Sequence, residues 1–302
     1  MSRARIVLLS LCLLPIACGE SPPAPPPTDI FIAELSVADG VFTVGEPVAA
    51  TDRDGYDNQP AFLPGGEALL YSSIGDDGQA EIHRYDLREG RSERLTRTPE
   101  DEYSPTLLPG RDGFSVVRVE PDGKQRLWRF DASGGDPALL LERPDQVGYF
   151  AWIDPSTVAL FVLGDDDAPP TLQIALIGSG EAKTMAESVG RCLQRVPGRR
   201  AISFVHKESD EAWWVKQLDV DSGRIEPLVQ TLPDCEDYAW TPEGTLLMPC
   251  GTKLHAWRRG SDDSWREIAD LRGFGLFGLT RAALSPSGDR VALVADRRRG
   301  PR

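Results

Sequence analysis

Apolar and polar positions along this chain repeat one small pattern six times: an apolar pair, a turn, then an apolar run. The turns fall at Pro64, Pro109, Asp154, Pro197, Pro242 and Pro286, at intervals of 43 to 45 residues. A period of this length built from short strands predicts a β-propeller, each repeat folding as one four-stranded blade. In the first repeat, residues 60–63 read as strand A, 68–71 as B, 82–87 as C and 93–96 as D. Period-2 alternation between Gly, Pro and Asp turns is what half-buried strands require.

Side-chain size follows the same frame. Three residues before the turns stand Ala61, Thr106, Ala151, Ala239 and Ala283, small enough for inner strands crowded around an axis. The next residues, Phe62, Leu107, Trp152, Trp240 and Leu284, are large enough to fill the gap between neighbouring blades. The fourth repeat breaks both rules with Gln194 and Arg195, so it is either a degenerate blade or a place with a reason to be polar. After Pro286 only one strand, 291–294, remains before the basic run at Arg297–Arg299. The missing partners stand at the front, where 29–35 reads as a C strand and 46–51 as a D strand. A last blade shared between both ends would seal the ring and remove its exposed edges. The expected fold is an all-β, six-bladed β-propeller over 29–297, with five blades plus tails as the alternative.

The run Asn58-Gln59-Pro60-Ala61-Phe62-Leu63-Pro64-Gly65-Gly66, followed by Leu70-Tyr71-Ser72-Ser73, Tyr85-Asp86-Leu87 and Arg94-Leu95-Thr96, resembles the repeat of TolB-type propellers. Ser285-Pro286-Ser287-Gly288 is similar to the same turn. The resemblance is clear in the first and last repeats and faint in the third and fourth. It implies six blades and a place in a bacterial envelope. TolB carries a further domain ahead of its propeller, whereas a leader and a short linker precede the first strand here, so TolB's own partners do not transfer.

The front of the chain reads as an address. Arg3 and Arg5 precede an apolar stretch, Ile6 to Ile16, that ends at Ala17-Cys18-Gly19, the layout of a secretory signal too short to anchor as a span. Residues 1–17 are expected to be a lipoprotein-type signal, with Cys18 as the lipidated first mature residue. Pro15 departs from the usual Leu, and a plain cleaved signal is the alternative. Gly19, where an Asp would redirect sorting, favours the outer membrane over the inner. Residues 18–28 hold the proline-rich run Ser21 to Thr28, which prefers extended polyproline II at about 3.1 Å per residue and reads as a tether. Residues 298–302 form a basic tail.

Net charge is −14, and loss of Arg3 and Arg5 with the leader leaves 31 basic against 47 acidic residues. Such a surface repels phosphate backbones, so nucleic acid is excluded as a partner and the acidity reads as solubility. The mature chain keeps Cys192, Cys235 and Cys250 in an oxidising space, so one pair is expected to join. Cys235 and Cys250 flank one A–B hairpin; Cys192 competes for Cys235. No G-x-S-x-G elbow occurs, and His83, His206 and His255 are too scattered to form a zinc set.

What remains is the face where the A strands enter. Asp57, Glu102, Glu236 and Asp237 gather at these entrances, with Arg191 and Arg281 among them. Loops from several blades converge there, as ligand sites require. The expected role is a non-enzymatic interaction or scaffold module: a monomeric ring, lipid-anchored in the envelope, without a cofactor. Its candidate contacts to a protein partner are Tyr56, Asp57, Tyr103, Tyr149, Phe274 and Phe277. The loop Gly273 to Leu279 would either pack inward over the axis as a plug or touch that partner. The rival is a metal-dependent lyase or lactonase-type propeller using Asp57, Glu102 and Asp237; a small-ligand or carbohydrate binder in the channel is the third reading.

Overall fold

Six antiparallel sheets stand side by side around one axis in the computed structural model, which describes residues 25–164 and 168–297. Their innermost strands are Asp57–Phe62, Asp101–Leu107, Val147–Asp154, Val189–Arg195, Ala239–Trp240 and Leu276–Leu284. These are the A strands of blades one to six. Blades one to five are local four-stranded meanders, each strand pairing with the next in sequence. The predicted six-bladed propeller is the fold.

The B strands explain why the apolar runs are nearly continuous. Ala68–Ile74, Phe114–Val119 and Thr157–Val162 are buried along almost their whole length, because both faces of a blade press on neighbours. Outer strands such as Arg91–Arg94 and Ala182–Glu187 lie mostly in solvent and are accordingly polar. The bulky residue after each small one does fill the gap between blades. Trp152 of blade three packs against Val117 and Leu127 of blade two and donates its indole N–H to Ser115 Oγ at 2.9 Å. Trp240 of blade five makes the same bond to Ser203 Oγ of blade four at 2.8 Å.

Closure joins the two ends. Asp29–Ala38 pairs antiparallel with Arg290–Arg297, aligning Ile30 with Val294, Phe31 with Leu293 and Ile32 with Ala292. Val48–Ala49 then pairs with Phe31 and Ile32 as the predicted outer strand. The first strand runs further than expected, turns at Asp39-Gly40 and forms a hairpin with Val41–Val44. Positive φ at both turn residues, 50° and 77°, is the tight-hairpin geometry that an Asp-Gly pair supplies. Ile30, buried completely, packs with Phe62, Leu69 and Tyr71 of blade one, so the seam is also a core.

Blade four is not degenerate. Its strands Val189–Arg195, Ala201–Ser209, Ala212–Asp219 and Ile225–Gln230 are all present, and Gln194 and Arg195 line the central channel. Cys235 and Cys250 are joined by a disulfide with Cα atoms 5.7 Å apart, while Cys192 is a buried free thiol.

Candidate functional site at the channel mouth

A-strand entrances are irregular in five of the six blades. Register shifts interrupt the A–B ladders between Asn58 and Ala61, Tyr103 and Thr106, Val147 and Tyr149, Val189 and Leu193, and Phe277 and Arg281. Such bulges bend a strand and re-aim its side chains. In blades one and two the bulged residues Gln59 and Ser104 take positive φ, 58° and 57°. Gln59 Oε1 holds them together, accepting from Ser72 Oγ at 2.7 Å and from the Ser104 backbone N–H at 2.8 Å.

One polar or aromatic side chain from each blade stands at the same end of the channel: Tyr56, Tyr103, Tyr149, Arg191, Asp237 and Arg281 in blade order. Arg191 grips Asp237 through two N–H groups, at 2.7 and 3.1 Å on one oxygen, and also reaches Glu236 at 3.3 Å. Lys207 holds the other Glu236 oxygen at 2.9 Å. Arg281 approaches the second Asp237 oxygen at 3.4 Å and lies 4.9 Å from the centre of the Tyr149 ring. Burial pushes the Tyr103 phenol up to about 12 and raises Tyr56 further, against the opposing pull of Arg281, so both remain hydroxyl donors at neutral pH. Below them the channel encloses about 550 Å³, with Gln59, Ser104 and Tyr149 near the mouth and Arg195 and Pro197 among the residues deeper along the same A strands.

The carboxylates of the expected metal set do not converge. Asp57, wholly buried, takes both oxygens to Arg53, whose fork also donates to Ser73 Oγ and the Ile74 carbonyl. Glu102 is wholly buried and accepts from Arg118 at 3.1 Å and from the Thr98 hydroxyl. Arg118 is sandwiched 4.5 Å from the Trp128 ring and 5.2 Å from Phe130. Desolvation raises the Glu102 carboxyl to about 7, Thr98 and Arg118 opposing it and the nearby Glu81 adding to it. Asp237 belongs to Arg191 and Arg281. Among the described residues, no group of three or more His, Cys, Asp or Glu side chains is placed to hold a metal ion.

The expected contact residues separate into two groups. Tyr56, Tyr103 and Tyr149 are half-buried neighbours at the mouth. Asp57 is sealed beneath them and offers no surface. Phe274 and Phe277, like Tyr56 and Tyr103, are not among the residues that line the channel interior. The segment winds into a short 3₁₀ turn, Leu271–Phe274, and then begins the sixth A strand at Leu276. Its Leu271, Leu276 and Leu279 pack between blades five and six, leaving Phe274 49% exposed and Phe277 half-buried. Sequence reading missed the clamps Arg53, Arg118 and Lys207. Only Arg53 carried a signal, four residues before Asp57. Cys18, the leader, the first part of the tether and the basic tail lie outside the described residues.

With this geometry in place, comparison with solved structures is informative. A TolB structure from Agrobacterium tumefaciens superposes with a TM-score of 0.70 at 16% identity, covering 89% of this chain and 98% of that one. TolB from Acinetobacter baumannii matches with a TM-score of 0.56 at 16% identity, over 89% of this chain and 64% of that one. The fold is that of the TolB-type propeller. A gluconolactonase from Xanthomonas campestris has a similar fold too, with a TM-score of 0.62 at 12% identity over 91% of this chain and 98% of that one. No protein-family profile matches the chain, and no curated protein does.

Proposed function

We propose that this chain is a non-enzymatic envelope lipoprotein whose propeller binds a protein partner through the channel-mouth face. One observation carries the reading: the buried carboxylates that could hold a metal or act as a base are each already engaged by an arginine. Asp57 has Arg53, Glu102 has Arg118, and Asp237 has Arg191 and Arg281. A carboxylate so paired is poorly placed to hold a metal, because freeing it leaves a desolvated cation behind. Tyr56, Tyr103 and Tyr149 supply what a contact face uses instead, rigid amphipathic rings with a hydroxyl at the tip. The step from propeller to binding is an argument from fold, and similar folds serve both TolB and a gluconolactonase.

The test is partner capture in the native envelope. Replacing Tyr103 and Tyr149 together by Ala should abolish crosslinking to the partner while leaving the thermal melt of the ring within a few degrees. Unchanged capture removes the mouth from the account. Divalent-metal-dependent hydrolysis of a sugar lactone, lost on Asp237→Asn, would establish the enzymatic alternative. Cys18→Ser should release the protein from membranes, and continued sedimentation with the membrane fraction would contradict the lipid anchor.

A further inference from the structure

Arg281 is the anomaly of the mouth. Its side chain is only 16% exposed, yet its one ion-pair contact is the 3.4 Å approach to Asp237, and it makes no hydrogen bond among the described residues. A guanidinium carries five N–H donors, so Arg281 keeps most of its hydrogen-bonding capacity for a partner from outside the chain. Asp237 offers Arg281 only its second oxygen, at 3.4 Å and without a hydrogen bond, while both Arg191 bonds go to the first. Tyr149 supports Arg281 by its ring face and offers no acceptor from that direction.

The local charge points the same way. Arg191, Lys207 and Arg281 face Glu236 and Asp237, which leaves one positive charge at the mouth of a chain whose net charge is −14. That balance matches a monoanion. A planar guanidinium fork complements a carboxylate in bidentate fashion. The organic part would meet the Tyr149 ring and Pro60, Ala61 and Ala282 along the channel wall, and about 550 Å³ has room for far more than a bare ion.

We propose that the channel mouth binds an organic carboxylate, gripped by Arg281 with Arg191 and the tyrosine hydroxyls beside it. This rests on the reading of the mouth as a binding face and names the chemistry it recognises. The carboxylate belongs either to a free acid or to the C-terminus of a polypeptide.

Calorimetric titration of the full chain distinguishes these. The probes are lactate, gluconate and galacturonate, their neutral counterparts glucose and galactose, and a short peptide with a free or an amidated C-terminus. At least one carboxylate should bind saturably at millimolar concentration, its neutral counterpart should not, and Arg281→Ala should weaken binding at least about tenfold. Binding by the free acids identifies a small ligand, and binding by the free-ended peptide alone identifies a polypeptide terminus. In the unmutated protein, the Arg281 Nε–H resonance should shift on titration, a readout that does not depend on whether the variant folds. No binding by any carboxylate, equal binding of sulfate, or an unmoved Arg281 resonance would overturn the proposal. Carboxylate binding that persists when the tyrosine variants still capture their partner would cancel the partner reading alone.

Discussion

Glu102 shows how a single side chain records the cost of its position. It is wholly buried, and burial lifts its carboxyl to about 7 despite Arg118 and Thr98. An acid whose folded pKa stands above its unfolded value stabilises the fold when protonated. That contribution is complete below the ordinary carboxylate range and is lost as pH rises through about 7. Glu102→Gln should therefore flatten the fall in stability across this window, a difference on the order of 1–3 kcal/mol between pH 5 and pH 8. Denaturant melts at the two pH values measure it, and an unaltered pH dependence would show that Glu102 stays ionised. Residues of this kind were only half legible beforehand. The alternation pattern placed Asp57, Glu102 and Asp237 at strand entrances with Arg191 and Arg281 among them, but not Arg53 and Arg118, which neutralise Asp57 and Glu102. Arg118 comes from a B strand and Arg53 from the loop ahead of the first blade, and pairing across a sheet depends on register that single residues do not announce.

Elements were the most legible scale, because strand patterning is a local consequence of burial. Small-then-bulky pairs before each turn marked the A strands, and the apolar strands at both ends announced the closing blade. One reading failed where local pattern and tertiary context diverge. Gln194 and Arg195 looked like a broken blade, yet all four strands form and both residues line the channel, where polar groups meet water. Leu271, Leu276 and Leu279, in and beside the Gly273 to Leu279 segment, fill a blade interface that the local pattern did not announce. The closing seam makes the strongest prediction at this scale. Ile30 is fully buried between Val294 and the core of blade one, so Ile30→Ala should cost about 2–5 kcal/mol. A loss below that range, measured by chemical denaturation, would mean the first strand contributes little to holding the ring shut.

At the scale of the whole molecule, the ring converts six modest entrances into one shared mouth. Tyr56, Tyr103, Tyr149, Arg191, Asp237 and Arg281 are far apart in sequence and come together only because the ends meet. Function is accordingly the least legible level. Each of these residues is ordinary in its own repeat, and their sum is visible only around the axis. Leu176, 40% exposed on blade three, lies outside the channel lining. A photo-crosslinking residue placed at Tyr149 and, separately, at Leu176 in cells carrying the native envelope compares the two faces directly. The account predicts one discrete covalent partner from position 149 and none from position 176. The same partner from the rim position, with nothing from the mouth, would contradict it.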